Sequence, residues 1–177
     1  MGDNVILVGF MGAGKSSVGR LLARRMGRCF VETDDMITAR EGRSIPEIFA
    51  DRGEAHFRGL EEEMVGLLAL KSGDVIATGG GLYCRAGRPD ALRALGTVVW
   101  LSGDFDVLYE RASRMGHRPM LAGRSREEVA AIHRAREPYY RQADITVDTT
   151  HRTTDQVVAE ILRALRPIFS PSGKREA

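Results

Sequence analysis

Apolar residues follow two rhythms along this chain. Short unbroken runs have the length and continuity of buried strands: Val5-Ile6-Leu7-Val8, Cys29-Phe30-Val31, Val75-Ile76-Ala77, Val98-Val99-Trp100-Leu101 and Ile145-Thr146-Val147. Between them, apolar residues recur at three- and four-residue spacing. Val18, Leu21, Leu22 and Met26 make one such stripe; Phe57, Leu60, Met64, Leu67 and Leu68 a second; Val157, Val158, Ile161, Leu162 and Leu165 a third. Shorter helices are predicted over 89–95 and 104–115. Ser44-Ile45-Pro46-Glu47 and Ser125-Arg126-Glu127-Glu128 have the capping-box form, the second opening a helix to about residue 141. Thr153 with Gln156 caps the last helix and Pro167 ends it. The segment 117–124 has no apolar period and holds Pro119 and Gly123, so it reads as a loop. Strands alternating with helices predict an α/β fold: a parallel five-stranded sheet with helices on both faces and ligands beyond the carboxyl ends of the strands.

One strand-to-helix junction carries chemistry. Gly9-Phe10-Met11-Gly12-Ala13-Gly14-Lys15-Ser16 fits G-x-x-x-x-G-K-[ST], in the strand–loop–helix order a phosphate-binding loop requires. Glycines let the backbone approach a ligand, and loop N–H groups with the helix N-terminus offer a positive cradle. Lys15 supplies a point charge for β- and γ-phosphates, and Ser16 a hydroxyl for Mg²⁺. The chain has three Lys against 23 Arg, so a lysine here runs against its own bias.

Two further segments share that edge of the sheet. After the second strand come Glu32-Thr33-Asp34-Asp35. If strand geometry persists, Glu32 and Asp34 face the same way, one to hold waters of a Mg²⁺ on Ser16, the other to orient or deprotonate an attacking hydroxyl. The third strand ends in Thr78-Gly79-Gly80-Gly81, with no acid for a metal. Its glycines either offer open N–H groups to an oxygen-rich ligand or form a plain turn. Arg118, beside Pro119 in the 117–124 loop, reads either as a mobile arginine that would neutralise charge over the phosphates or as an ordinary exposed arginine in an Arg-rich chain. Arg58 and Arg136 lie on different helices, and patterning does not bring them together.

Length and charge narrow the class. A chain of 177 residues suits one domain, taken as 1–166 with a mobile lid at about 112–125 and a polar, disordered tail at 167–177. A net charge of +2 is too small to argue for nucleic acid or an acidic membrane, and neither is expected as a partner. No run has transmembrane length, the first strand begins too early to leave room for a signal peptide, and Cys29 and Cys84 have no metal-ligand spacing. They are expected to be buried or incidental thiols in a cytoplasmic protein.

With these residues in view, the chain resembles the shikimate kinase family from Val5 to about Leu165. The resemblance rests on the phosphate loop; Asp34 after Phe30; Gly42-Arg43-Ser44-Ile45-Pro46-Glu47-Ile48-Phe49; Gly53-Glu54 with Phe57-Arg58 and Glu61-Glu62; Thr78 to Gly81; Arg118-Pro119-Met120-Leu121; and Arg136 with Tyr140. The phosphate loop alone is common, whereas the ordered set is specific. It implies a P-loop kinase fold and Mg²⁺-dependent transfer of the γ-phosphate of ATP to the 3-hydroxyl of shikimate, on the way to chorismate and the aromatic amino acids. Asp34, Lys15 and Arg118 would be catalytic. Gly12, Ala13, Gly14, Lys15, Ser16, Ser17, Arg111, Arg118 and Arg152 would bind ATP, with Arg111 against adenine. Asp34, Arg58, Gly79, Gly80, Gly81 and Arg136 would bind shikimate, the two arginines on its carboxylate. Ser16 would ligate the metal, with Glu32 and Asp34 in its outer sphere. The family usually has aspartate where this chain has Glu32, which keeps the charge and adds a methylene. A monomer is expected. The competing readings are a related kinase of another small polyol acid and a weakly hydrolysing nucleotide-binding regulator, neither of which calls for the full set of shikimate residues.

Overall fold

Val5 to Val8 are all fully buried, which explains why that run shows no polar alternation: the strand is covered on both faces. The computed structural model describes residues 3–114, 121 and 123–169. In chain order the elements are β1 (Asn4–Val8), α1 (Lys15–Met26), β2 (Phe30–Glu32), α2 (Thr33–Glu41), α3 (Ile45–Leu68), β3 (Val75–Ala77), α4 (Arg88–Leu95), β4 (Gly96–Ser102), α5 (Phe105–Arg114), α6 (Arg126–Tyr140), β5 (Ile145–Asp148) and α7 (Thr154–Phe169). The five strands form one sheet in the order β2-β3-β1-β4-β5, every neighbouring pair parallel. Val5 pairs with Val75 on one side and Thr97 on the other. The expected α/β architecture is present, with α1 packed against α7, β1 and β3, and α4 against β4.

Three local expectations differ from the structure. The acidic segment after β2 does not continue as strand; it turns at once into α2. Asp34 and Asp35 sit in its first turn, where the helix dipole favours negative charge, and Gly42 closes it in the left-handed region at φ 64°. In α3, Leu67 is 42% exposed, and the buried stripe runs instead through Phe57, Leu60, Glu61, Met64, Val65 and Leu68. Finally, α7 passes Pro167 and continues to Phe169, so folded chain extends beyond residue 166. The proline removes one hydrogen-bond donor, but so near the end of the helix few bonds remain to be lost. The tail at 170–177 lies outside the described residues.

The predicted caps all form. Ser44 and Ser125 make reciprocal boxes with Glu47 and Glu128. The Thr153 N–H donates to Gln156 Oε1 at 2.9 Å while Thr153 Oγ1 accepts the Gln156 N–H at 3.3 Å. α3 also breaks internally at Gly53, with φ 74° and ψ 178°. Cys29 is exposed, whereas Cys84 is half-buried against the sheet core; neither is in a disulfide. No described helix is long and apolar enough to cross a membrane.

Two hydrophobic clusters result. The larger covers both faces of the sheet. The smaller joins α2 to α3 through Ile37, Ile48, Phe57, Leu60 and Met64, with Met36, Ile45 and Phe49 packed against it.

Candidate active site

The loop between β1 and α1 takes left-handed or otherwise glycine-favouring backbone at Gly9 (φ 146°), Gly12 (79°) and Gly14 (85°). At Gly12 space is also decisive, because a Cβ would lie 2.1 Å from the Leu108 carbonyl oxygen. Gly14 precedes α1 without any side-chain cap, which leaves the first-turn N–H groups to a ligand. Lys15 Nζ donates to the carbonyls of Gly9 (2.8 Å) and Phe10 (3.1 Å). Ala13 is buried and its N–H turns back to Phe10 O at 3.3 Å, so only its neighbours face the cavity.

That cavity, about 270 Å³, is lined by Gly12, Gly14, Lys15, Ser16 and Ser17 on one side. Asp34, Arg58, Arg136 and Gly79 to Gly81 line the other. Glu32 also borders it. The Ser16 hydroxyl donates to Glu32 Oε1, and Arg20 Nη2 holds Glu32 Oε2 at 3.3 Å while lying over the Phe30 ring. Glu32 and Asp34 thus reach one cavity, but from the end of a strand and the first turn of a helix rather than from one extended segment.

The three glycines are neither a plain turn nor simply a row of open N–H groups. Gly79 donates its N–H to Thr33 Oγ1 at 2.8 Å, both groups being buried. None of the three has a φ between +20° and +160°, the range that favours glycine. Their lack of a side chain makes room for charge. A Cβ on Gly79 would lie 2.6 Å from Asp34 Oδ1. One on Gly81 would lie 2.9 Å from Arg58 Nη1 and 3.1 Å from Arg136 Nη2. The two guanidinium groups that patterning left apart therefore converge over a single residue.

Each arginine is braced. Arg58 Nη1 donates to Glu61 Oε2 at 2.7 Å, and its Nε and Nη2 donate to Glu54 Oε1 at 3.1 and 2.8 Å. Burial pushes the Arg58 pKa down, but the bonds and charges of Glu61 and Glu54 outweigh it and the net shift is upward. Glu54 is held below the usual carboxylate range, chiefly by its hydrogen bonds from Arg58. Arg85 Nη2 reaches the same Glu61 oxygen at 2.8 Å. Arg136 Nη1 donates to Gly80 O at 3.0 Å.

Glu61, Thr33 and the apolar wall of Ile45, Phe49 and Phe57 were not singled out for the site from sequence. Glu61 does leave a trace: a carboxylate on the buried face of α3, between Leu60 and Met64 and one turn from Arg58. Arg111 and Arg152 stand apart from this cavity. Arg111 Nη2 donates to Thr149 O at 3.0 Å, in the loop where the Arg152 N–H also reaches Thr149 O, and the Arg152 side chain pairs with Glu160. Arg118 and half of the expected lid, 115–120 and 122, lie outside the described residues. Among the described residues no group of three or more His, Cys, Asp or Glu could hold a metal unaided.

The sequence profile of the shikimate kinase family matches residues 11–166. The chain belongs to the shikimate kinase family. It is 44% identical over 167 residues to a shikimate kinase of Symbiobacterium thermophilum, covering 92% of this chain and 96% of that one. Against a shikimate kinase of Geobacter metallireducens it is 45% identical over 159 residues, 89% of each. The structure of shikimate kinase from Acinetobacter baumannii in complex with shikimate superposes with a TM-score of 0.89 at 34% identity, covering 95% of both chains. A gluconokinase from Sinorhizobium meliloti, at 21% identity and TM-score 0.58, shares the fold alone. As a shikimate kinase, the protein is an ATP-dependent phosphotransferase with an alcohol as acceptor, built on the P-loop kinase fold.

Proposed function

We propose that shikimate is seated with its carboxylate between Arg58 and Arg136 and its 3-hydroxyl beside Asp34, facing ATP on the phosphate loop. The observation that carries this reading is the meeting of both guanidinium groups at Gly81 while Asp34 lies against Gly79. A cationic fork beside a carboxylate suits an acceptor that is both an acid and an alcohol. Asp34 takes the proton of the 3-hydroxyl as that oxygen attacks the γ-phosphorus; the bond to the β-phosphate oxygen breaks, giving shikimate 3-phosphate and ADP. Lys15 neutralises charge that grows on the transferring group, and Arg118 adds to this from the lid. Arg111 and Arg152 belong to the nucleotide end, beside the loop that follows β5.

The oxygen-rich surroundings of Ser16, with Glu32 at its hydroxyl and Asp34 nearby, fit Mg²⁺, which keeps several waters and takes few protein ligands. The metal would offset phosphate charge; Glu32, by accepting the Ser16 proton, leaves a hydroxyl lone pair for it. Every residue invoked comes from one chain, which is enough for a monomer, and unpaired thiols suit the cytoplasm.

A coupled assay with ATP, Mg²⁺ and shikimate tests the assignment on wild type and Lys15→Ala. The wild type turns over. The variant, folded by circular dichroism, loses on the order of 10²-fold or more in kcat, as for other transition-state donors. A folded Lys15→Ala enzyme with wild-type kcat would remove the phosphate loop from catalysis.

A further inference from the structure

Beneath the triple-glycine turn lies a phenol that the reaction does not use. Tyr140 is the last residue of α6, one turn beyond Arg136, and only 1% exposed. Its hydroxyl donates to Gly80 O at 2.7 Å, the same oxygen that accepts Arg136 Nη1 at 3.0 Å. Two donors occupy both lone pairs of that carbonyl. Because the peptide is planar, fixing the Gly80 carbonyl also fixes the Gly81 N–H, which points the opposite way.

The ring itself cannot swing away. It stacks on Tyr83, with centroids 6.3 Å apart and planes 3° from parallel, and on Trp100 at 5.8 Å and 19°. The three rings form a column under the turn. The two tyrosine hydroxyls differ in use. The Tyr83 hydroxyl is buried with no hydrogen-bond partner among the described residues, and burial raises its pKa to about 12. The Tyr140 phenol, pushed well above its ordinary value chiefly by burial, stays a neutral donor at working pH, and it has an acceptor that belongs to the site.

We propose that Tyr140 is a positioning residue for substrate binding: its hydroxyl holds the Gly80 carbonyl and so sets both the Gly80–Gly81 peptide and the Arg136 fork. This rests on the reading of Arg136 as a ligand of the shikimate carboxylate. Without the Tyr140 bond, Arg136 shares its anchor with no other donor. The guanidinium and the glycine turn then sample more positions, and ordering them falls to the substrate. The cost should therefore appear in shikimate binding and not in ATP binding or in the chemical step.

The test uses Tyr140→Phe, Tyr83→Phe, Arg136→Lys and the double variant Arg136→Lys/Tyr140→Phe. Steady-state kinetics are combined with calorimetric binding of shikimate. Tyr140→Phe keeps the ring column and removes one buried hydrogen bond, so shikimate KM and Kd should rise about 3- to 10-fold. KM for ATP and kcat should stay within about 2-fold of wild type. Tyr83→Phe makes the same chemical change one ring away and should leave all four constants unaltered. In the Arg136→Lys background, Tyr140→Phe should weaken binding by less than it does alone, because both act through one carbonyl. Unchanged shikimate binding in Tyr140→Phe, equal rises in both KM values, or full additivity in the double variant would each overturn the proposal. A different result, Arg136→Lys with wild-type shikimate affinity, would defeat the carboxylate reading itself, and with it the route through the fork.

Discussion

Glu32 stands where the resemblance leads one to expect aspartate, and its extra methylene has a visible use. The carboxylate spans from the Ser16 hydroxyl to the Arg20 guanidinium. Aspartate at this position would be too short to keep both contacts unless the backbone moved. Glu32→Asp should therefore leave the enzyme active and the shikimate KM unchanged, while raising the Mg²⁺ concentration for half-maximal rate by about 10-fold or less, the lower end of outer-sphere effects. A Mg²⁺ titration at saturating ATP and shikimate checks this; a large rise in shikimate KM would move Glu32 out of the metal's surroundings. Gly79 makes the complementary case, of a side chain that must be absent. Gly79→Ala puts a methyl 2.6 Å from Asp34 Oδ1, and one of the two has to shift. A displaced base should lower kcat on the order of 10²-fold. Since the Gly79 backbone lies outside the φ range that only glycine favours, the melting temperature should fall little, and kcat and stability measured together separate the two effects.

At the scale of elements, α3 couples local backbone to the site. Its first half carries Ile45 and Phe49, its second half Glu54, Phe57, Arg58 and Glu61, and Gly53 sets the angle between them. The backbone there, φ 74° and ψ 178°, is one that only glycine adopts without strain, and a Cβ would meet no atom within 4 Å. The cost of Gly53→Ala is thus purely conformational, about 1–3 kcal/mol. A lower thermal midpoint with a raised shikimate KM is expected; a variant as stable as wild type would contradict the strain argument. The kink was not legible in the sequence, where Gly53 sits among ordinary helix formers. The caps were, because Ser44 with Glu47, Ser125 with Glu128 and Thr153 with Gln156 are local devices whose spacing is their mechanism. Helix α2 was missed for the opposite reason: its nine residues bury only Thr33 and Ile37 and show no stripe, and its start is set by tertiary contact of Thr33 with Gly79. Likewise, the phosphate loop reads directly from its motif. The convergence of Arg58 and Arg136 depends on how α3 and α6 approach the sheet, which no periodicity encodes.

In the whole molecule, the site lies where two packed units meet. The sheet core supplies the phosphate loop, the glycine turn and, through α6, Arg136. The smaller cluster of α2 and α3 supplies Asp34, Arg58 and the apolar wall of Ile45, Phe49 and Phe57. An acceptor held between them must satisfy both, and its carboxylate is the group that the two arginines address together. The direct test compares shikimate with its methyl ester as substrates at saturating ATP and Mg²⁺, in wild type, Arg58→Lys and Arg136→Lys. Loss of one buried charge-assisted contact costs about 2–5 kcal/mol, so the ester should be at least about 30-fold poorer in kcat/KM for the wild type. Lysine cannot reproduce the guanidinium fork, so each variant should lose activity on the acid, discriminate less between acid and ester, and keep its KM for ATP. Wild-type turnover of the ester at the rate of the acid would contradict the carboxylate clamp.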